Sequence, residues 1–271
     1  MLSRFFFPRR PRPAPAVPAG YRVYAVGDVH GRDDLLAELL GRIEADQAAR
    51  GGAETVIVFL GDLIDRGPAS AAVVERLRTF APEWAKTVFL AGNHEEVLLR
   101  LLDGDDRLIA DWLRFGGTEC CASYGLDAAV LRRMGTRRAG EAIRAAVPKP
   151  HVDFLRGFDD TLRIGDYLFV HAGIRPGLPL TSQAQSDLRW IRQPFLSDRS
   201  DHGFIVVHGH TISEGIDEAA NRVGIDTGAY RSGVLTAFCA DGSQRWFIQT
   251  GEETIAPGEA SPAVATQDGA C

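Results

Sequence analysis

The sequence lacks the features of a secreted, membrane-spanning or nucleic-acid-binding protein. It has four cysteines among 271 residues, two of them adjacent as Cys120 and Cys121, and no Cys-x-x-Cys metal motif. No segment offers the roughly 18 apolar residues of a membrane-spanning helix, and the short run Phe5 to Phe7 is no signal-peptide core. Thirty basic and 36 acidic side chains give a net charge of −6, so there is no overall basic surface for nucleic acid or anionic lipid. We therefore expect a cytoplasmic protein with reduced thiols, and neither nucleic acid nor membrane as a partner.

The two ends of the chain differ in composition from its middle. Residues 1–20 contain five of the 14 prolines and four arginines but no acidic residue, and residues 251–271 lack hydrophobic periodicity. Such segments bury little apolar surface, so both are interpreted as disordered tails. An organellar transit peptide is the alternative for the first, although its prolines oppose an amphipathic helix. One folded domain over residues 21–250 is left, with a helical insertion at about residues 103–148.

Short apolar runs inside this domain have the length and composition of buried strands. Five of them precede polar clusters: Val23 to Val26, Val56 to Leu60, Val88 to Ala91, Tyr167 to Val170 and Phe204 to Val207. Apolar residues at helical spacing separate the first three, which gives a βαβαβ order and predicts a parallel sheet. Further β-rich pieces at residues 223–225, 234–240 and 244–249 predict a second sheet or an antiparallel extension.

A polar cluster bracketed by glycine follows each of the five runs. The clusters are Gly27-Asp28-Val29-His30-Gly31, Gly61-Asp62-Leu63-Ile64-Asp65-Arg66-Gly67, Gly92-Asn93-His94-Glu95, Val170-His171-Ala172-Gly173 and His208-Gly209-His210-Thr211. If the strands are parallel neighbours, their carboxyl ends meet at one edge and these side chains converge there. The converging donors are Asp28, His30, Asp62, Asn93, His171 and His210. Because uncompensated carboxylates would repel one another, the pattern predicts a bound cation.

The number and type of donors favour two divalent ions. Six oxygen and nitrogen donors are too many for one tetrahedral ion with an open position, but they divide between two ions that share a carboxylate. Such donors without thiolate suit Mn, Fe or Zn, and we expect Mn. A pair of ions about 3.5–4 Å apart polarises a phosphoryl oxygen and activates a water molecule. The sequence therefore predicts a hydrolase of phosphate esters.

The motifs Gly-Asp-Val-His-Gly, Gly-Asp-Leu-Ile-Asp-Arg-Gly and Gly-Asn-His-Glu resemble those of the phosphoprotein phosphatase family, within the calcineurin-like metallophosphoesterase superfamily. The resemblance implies an α/β fold, a β-sandwich flanked by helices in four layers, α/β/β/α. It implies that Asp28 and His30 hold the first metal and that Asp62 bridges the two. The implied ligands of the second metal are Asn93, His171 and His210.

The same resemblance implies three catalytic groups. His94 is the general acid that protonates the leaving oxygen, and Asp65 orients it. Arg66 binds the phosphate oxygens through its planar guanidinium.

Two further segments resemble bacterial members of the family. The segment 188–192 resembles a Trp-x-Arg motif that supplies a second phosphate-binding arginine, which nominates Arg192; a solvated arginine beside a packed Trp190 is the alternative. The segment 225–230 resembles the bacterial form, because the corresponding loop of the eukaryotic enzymes is absent. Tyr230 is therefore expected to be structural or to face the substrate.

Substrate is the point on which the hypotheses differ. The first is a serine/threonine protein phosphatase acting on phosphorylated proteins or peptides, with phosphotyrosine kept as a further substrate. The alternatives are a symmetrical dinucleoside tetraphosphate hydrolase and a small-molecule phosphatase. Relatives of the tetraphosphatase type lack the second aspartate of the Asp62 motif and carry Gly-Asn-His-Asp, whereas this chain has Asp65 and Glu95. A non-enzymatic scaffold is disfavoured because no expected ligand is missing.

Overall fold

The structure, a computed structural model, describes residues 14–251. Residues 1–13 and 252–271, on which most of the two predicted tails falls, lie outside the described residues. Residues 14–20 pack against the domain, although their composition predicts a tail. Val17 is only 2% exposed, and its N–H donates to Gly242 O at 3.0 Å. Ala16 N–H donates to the Asp166 carboxylate at 3.0 Å, so this segment joins the hairpins of both sheets and the domain begins before Tyr21.

Within residues 14–251, ten strands form two five-stranded mixed sheets. The first has the order β10-β9-β1-β2-β3, with β1 (Tyr21–Val26), β2 (Glu54–Phe59), β3 (Ala85–Phe89), β9 (Thr236–Asp241) and β10 (Gln244–Gln249). The second has the order β4-β5-β6-β8-β7, with β4 (Thr161–Ile164), β5 (Tyr167–Val170), β6 (Ile205–His208), β7 (Asp217–Ala219) and β8 (Arg222–Gly224).

The five predicted strands are divided between the sheets, whereas the sequence favoured parallel neighbours at a single edge. Strands β1, β2 and β3 are parallel in the first sheet, and β5, β6 and β8 are parallel in the second. A strand that is covered on both faces has the same kind of apolar run in either sheet, so the sequence pattern could not show which sheet each strand belongs to. In the first sheet Val26 pairs with Phe59 and Phe59 with Phe89. The carboxyl ends of β1, β2 and β3 are therefore level.

In the described part of the chain, ten α-helices connect and cover the strands. They are α1 (Asp33–Arg50), α2 (Ser70–Thr79), α3 (Asn93–Leu102), α4 (Ile109–Trp112), α5 (Thr118–Ser123), α6 (Ala128–Arg133), α7 (Thr136–Ala146), α8 (Lys149–Arg156), α9 (Gln185–Trp190) and α10 (Ala229–Ser232). Helices α4 to α7 lie within the segment predicted as a helical insertion, and a π-helical turn, Leu113–Gly117, joins α4 to α5. No helix among residues 14–251 is long and apolar enough to cross a membrane.

Three apolar layers hold these elements together. The first lies between the first sheet and its helices, where α1 buries Leu36, Leu39 and Ile43. The second lies between the sheets and includes Val58 and Phe169. The third packs the second sheet against α9 and its flanking segments. Three apolar layers separate four layers of structure, which confirms the predicted β-sandwich flanked by helices.

Candidate metal centre and catalytic site

Every predicted site residue except Arg192 follows the carboxyl end of a strand. Asp28 and His30 follow β1, whereas Asp62, Asp65 and Arg66 follow β2. Asn93 and His94 begin α3 after β3; His171 follows β5; and His210 follows β6. Arg192 lies two residues after α9. The loops of both sheets converge, so ligands from two sheets meet rather than ligands from one edge.

The Asp62 carboxylate lies between two groups of imidazoles. One oxygen is 3.6 Å from His30 Nε2, and the other is 3.4 Å from His171 Nε2. His171 Nε2 is also 3.1 Å from Asn93 Oδ1 and 3.3 Å from His210 Nδ1. The side chains form two groups, and within each group the ligand atoms all lie within 4.8 Å of one another. One group is His30, Asp62 and His94; the other is Asp62, His171 and His210. Asp62 belongs to both groups. The arrangement has the form of two adjacent metal sites that share one carboxylate.

The donor atoms fit divalent ions. His30 Nε2 and His210 Nε2 are buried and have no hydrogen-bond partner. His30 Nδ1 contacts Ile64 O and His171 Nδ1 contacts Leu60 O, each at 2.8 Å. A ring that donates Nδ1–H to a carbonyl leaves the Nε2 lone pair available to a metal. Burial lowers the pKa of His30 and His171 and so keeps both rings in the neutral form that binds metal.

Asp28 lies in the same buried region but makes different contacts from those expected of a ligand of the first ion. Its carboxylate accepts the His210 N–H at 3.1 and 3.2 Å. Burial, with repulsion from Asp226 and Asp62, raises its pKa well above the usual range. In the structure, the residue that joins His30 and Asp62 in a compact group of ligand atoms is His94 and not Asp28. The role of Asp28 as a metal ligand stays a prediction.

Asp226 is a carboxylate that the sequence reading did not assign to the site. It is 1% exposed, follows β8 closely, and has one oxygen without a hydrogen-bond partner. Burial and repulsion from Asp62 raise its pKa to about 6. Its position after a strand and between Gly224 and Gly228 was the available signal, but no second His or Asp stands beside it in the sequence.

A buried hydrogen-bond chain holds the proposed acid. His94 Nδ1 is 2.6 Å from Asp65 Oδ2, and Trp112 Nε1–H donates to both oxygens of Asp65 at 3.1 and 2.9 Å. His94 Nε2 lies 3.2 Å from Arg66 Nη2 and 3.9 Å from Asp62 Oδ2. Burial alone would lower the pKa of His94, but the Asp62 carboxylate and the Asp65 hydrogen bond outweigh it and raise that pKa to about 9. The Trp112 contact joins residues 47 positions apart, and no sequence pattern indicated it.

Glu95 fixes the loop that carries Asp62. Its fully buried carboxylate accepts the backbone N–H groups of Asp62 and Leu63, each at 2.8 Å, and that of Gly92 at 3.0 Å. A Cβ atom at Gly92 would lie 2.2 Å from Asp62 Oδ1, so only glycine fits there. Burial and repulsion from Asp62 raise the pKa of Glu95 to about 7. Glu95 therefore determines where the shared carboxylate stands.

Backbone strain is concentrated in these loops. The residues other than glycine that have positive φ within the described part of the chain are His30 (45°), Asp62 (49°), Asp65 (71°), Arg66 (66°) and His210 (63°). All are predicted site residues. Left-handed conformations are unfavourable for residues with a Cβ, so the surrounding contacts must hold them.

A cavity of about 380 Å³ opens from the metal ligands to solvent. The residues that line it include Arg66, Asn93, His94, Arg192 and His210. A second cavity of about 910 Å³ lies on the other side of Arg66.

Tyr230 packs against the site residues. Its ring meets that of His30 edge to face with the centroids 5.6 Å apart, and the Arg66 guanidinium lies 5.1 Å from its centre. Tyr230 also lines the second cavity. This ring therefore packs against both His30 and Arg66.

Comparisons with known proteins agree with this geometry. The family model described as calcineurin-like phosphoesterase matches residues 21–241. A symmetrical bis(5′-nucleosyl)-tetraphosphatase of Janthinobacterium sp. (strain Marseille) is 26% identical over 260 residues, covering 79% of this chain and 91% of the relative. Serine/threonine-protein phosphatase 1 of Salmonella typhimurium is 28% identical over 225 residues, covering 79% and 89%. The crystal structure of a putative diadenosine tetraphosphatase matches with a TM-score of 0.61 at 21% identity, covering 87% of this chain and 98% of that one.

Proposed function

The chain belongs to the calcineurin-like phosphoesterase family, and from this premise we propose that it is a protein phosphatase acting on phosphoserine and phosphothreonine. Members of this family are hydrolases that use divalent metal ions. The observation that carries the proposal is the buried His94–Asp65 pair, which stands beside Asp62 and opens to the cavity. The phosphoprotein substrate and the cytoplasmic location remain predictions from the sequence.

The predicted donor set would hold two ions, with Asp62 shared between them. The proposed ligands are Asp28, His30, Asp62, Asn93, His171 and His210. Manganese is the proposed metal, and iron or zinc would suit the same donors. When bound, such ions would neutralise phosphate charge and lower the pKa of a water molecule towards neutrality.

The chain's own side chains would carry the proton and orient the phosphate. A serine or threonine alkoxide is a poor leaving group, so a proton must reach the ester oxygen as its bond to phosphorus breaks. His94 would supply that proton from Nε2, while Asp65 holds the ring by Nδ1. Arg66 and Arg192 would bind the phosphate oxygens by charge-assisted hydrogen bonds.

A bis(5′-nucleosyl)-tetraphosphatase is the second candidate. The Janthinobacterium relative bears that name and is matched over 91% of its length. The cavity of about 910 Å³ beyond Arg66 is lined by Arg114 and Arg132, and this positive surface has room for an oligophosphate. We rank it second because the motif resemblance ties Asp65 to the phosphatase type, and Asp65 is buried against His94.

Hydrolysis assays with added Mn²⁺ test the two candidates directly. The substrates are a phosphoserine peptide, a phosphothreonine peptide and diadenosine tetraphosphate, each with untreated and chelator-treated enzyme. The proposal expects metal-dependent release of inorganic phosphate from the peptides. Cleavage of diadenosine tetraphosphate alone, with ADP as product, would replace it by the second candidate. An Asp65→Asn variant sharpens the result, because peptide hydrolysis should fall while metal content is kept.

A further inference from the structure

One short segment of the helical insertion contacts two neighbouring residues of the catalytic site. We name residues 112–117 the bridging turn; it consists of Trp112, the last residue of α4, and the π-helical turn that follows. The Trp112 side chain hydrogen-bonds to the Asp65 carboxylate, and the Gly116 carbonyl hydrogen-bonds to the backbone of Arg66. The bridging turn therefore contacts the partner of the proposed acid and the proposed phosphate ligand at the same time.

The contact with Asp65 restrains a buried carboxylate. The Asp65 side chain is fully buried, and Trp112 Nε1–H donates to both of its oxygens, at 2.9 and 3.1 Å. His94 Nδ1 lies 2.6 Å from one of the same oxygens. A donor that both oxygens share opposes rotation of the carboxylate, and the direction of the His94 ring depends on that carboxylate. Trp112 therefore acts on the orientation of His94 through Asp65.

The indole ring is itself fixed by close packing. Trp112 is only 4% exposed, and a Cβ atom at Gly117 would lie 2.4 Å from the ring carbon Cδ2. The ring thus lies directly against the backbone of the turn, which only glycine permits at this distance. The Thr118 hydroxyl donates to the Leu113 carbonyl at 2.7 Å and closes the turn. The position of the indole N–H is therefore set by the fold of the turn.

The contact with Arg66 supports a strained backbone. The Gly116 carbonyl accepts the Arg66 N–H at 2.9 Å. Gly116 has φ 118°, and a Cβ atom there would lie 2.6 Å from Arg66 Cγ and 2.8 Å from its backbone nitrogen. Arg66 has φ 66°, a left-handed conformation that persists only when the surrounding contacts hold it. The bridging turn supplies one of these contacts, so it acts on the position from which the Arg66 side chain starts.

We propose that the bridging turn is a positioning element with two separate effects on catalysis, in which Trp112 orients the acid through Asp65 and Gly116 orients the phosphate ligand Arg66. This inference rests on the proposed function, because it takes His94 as the acid and Arg66 as a phosphate ligand. It assigns the first contact to the rate of leaving-group protonation and the second to the strength of phosphate binding. The helical insertion is then a working part of the catalytic site and not only a cover for the first sheet.

The contact with Asp65 is tested with two aryl esters that differ in their need for a proton, phenyl phosphate and p-nitrophenyl phosphate. Trp112→Phe keeps a ring and loses the N–H. We expect kcat on phenyl phosphate to fall about 10- to 100-fold, because a misplacement of about 1 Å can lower a rate by about 10²-fold. On p-nitrophenyl phosphate the loss should be less than about threefold, since this leaving group departs with less need of an acid. Equal losses on both esters would overturn the proposal.

A double-mutant cycle shows whether Trp112 acts through the acid. In a His94→Asn background, Trp112→Phe should cause no further loss, because the group that it positions is already absent. A further loss of about tenfold would show an independent effect and overturn the proposal. Benzothienylalanine at position 112 repeats the test with both rings kept and the N–H replaced by sulfur. This second variant decides the question if the phenylalanine variant does not fold.

Trp246→Phe is the matched control for the loss of an indole. Trp246 packs against the same apolar layer as Trp112, and its buried Nε1 has no hydrogen-bond partner among the described residues. This substitution should leave kcat on both esters unchanged. A loss equal to that of Trp112→Phe would assign the effect to core packing and overturn the proposal.

The contact with Arg66 is tested with inorganic phosphate as a competitive inhibitor. Gly116→Ala places a methyl group against Arg66 and should raise the inhibition constant about 10- to 100-fold, the contribution of a hydrogen bond to a charged group. Trp112→Phe should leave this constant unchanged. Gly125→Ala is the matched control, because Gly125 also has a positive φ, 79°, but no atom lies within 4 Å of an added Cβ. An unchanged constant in Gly116→Ala, or an equal rise in either of the other two variants, would overturn the proposal.

Wild-type rates separate this inference from the proposed function. If the esters are hydrolysed with the expected variant effects but phosphoserine and phosphothreonine peptides are not, this inference is sustained and the proposed substrate is rejected. Hydrolysis of the peptides with no effect of either substitution would do the reverse. A wild-type protein that hydrolyses neither ester nor peptide would overturn both.

Discussion

The loops of the first sheet and those of the second contribute unequally to the site. Those after β1, β2 and β3 supply the shared carboxylate, the His94–Asp65 pair and Arg66, and Glu95 and Trp112 fix them from behind. They also contain four of the five strained residues other than glycine within residues 14–251.

The loops of the second sheet supply fewer and more exposed groups. His171 and His210 are buried ligand candidates, but Arg192 and Trp190 stand in an exposed segment after β5. From this comparison we expect the proposed chemistry to depend mainly on the densely hydrogen-bonded loops of the first sheet. The loops of the second sheet would complete one of the two proposed ion sites and adjust phosphate binding. The four predictions below test that division.

Removing the shared carboxylate should have the largest effect. Asp62→Asn keeps the shape of the side chain and tolerates the left-handed backbone, but it removes the charge common to both groups of ligands. We expect loss of both ions and a fall in kcat/KM of about 10⁴-fold, because metals contribute several kcal/mol of transition-state stabilisation. Elemental analysis after gel filtration measures the metal content.

His210→Ala is the matched variant from the loops of the second sheet. It removes a ligand from only one of the two groups, so one ion should stay bound. If Asp62→Asn also kept one ion, or if His210→Ala lost both, the assignment of Asp62 as the shared ligand would be wrong.

Removing the proposed acid should have the next largest effect. His94→Asn should lower kcat on a phosphoserine peptide by about 10²- to 10⁴-fold with unchanged metal content. The loss should be smaller on p-nitrophenyl phosphate, whose leaving group departs with less need of a proton. His151→Asn is the control, because His151 is also buried but contacts Tyr124 and Glu75 instead of the site. Equal losses on both substrates would contradict the role of His94 as an acid.

Replacing Arg192 tests whether the segment after β5 of the second sheet contributes to phosphate binding. Arg192→Ala should raise KM by about 10- to 100-fold, since hydrogen bonds to charged groups contribute about 1.5–3 kcal/mol. Arg199→Ala is the matched control, because Arg199 is another arginine of this segment and donates only to backbone carbonyls. Comparable kinetics for the two variants would return Arg192 to the alternative of a solvated arginine.

The smallest effect is expected from thiol modification of Cys120 and Cys121, which lie in helix α5. Burial raises the pKa of Cys120, and it raises that of Cys121 to about 12. Because pH 8 lies below the pKa of both thiols, they remain protonated and should not react as thiolates. Iodoacetamide should leave both residues unlabelled in the native protein and label them in urea, as peptide mass spectrometry can measure. Labelling in the native state would show that the region around helix α5 opens more readily than its packing indicates.

The sequence predicted which side chains come together because each ligand candidate is adjacent to a strand end. A side chain directly after a buried strand has little freedom in where it stands, so Asp62 and His171 could be expected to approach each other before either sheet was known. Contacts that depend on packing between distant elements were not predictable in this way. The hydrogen bond from Trp112 to Asp65 is an example.

Two features of the fold were missed for related reasons. Strands β4 and β7 are short and half-exposed, with polar residues such as Asp217, so they lack the apolar runs that identify strands. Val17 lies among prolines, which suggested a tail, but its side chain is buried and the backbones of Ala16 and Val17 hydrogen-bond to the hairpins of both sheets. Composition averages over a window and therefore hides a single anchoring residue.

The left-handed backbone at Arg66 sets stability against activity in this protein. Glycine there would relieve a steric penalty of about 1–2 kcal/mol and would remove a group proposed for phosphate hydrolysis, whereas glycine at Asp65 would also leave the buried His94 and Trp112 donors without their partner. A screen that selects only for heat resistance should therefore accumulate inactivating substitutions at Arg66. Any programme to make a more robust catalyst from this chain would have to leave that loop alone and seek its gains elsewhere, for example on the exposed faces of the outer helices.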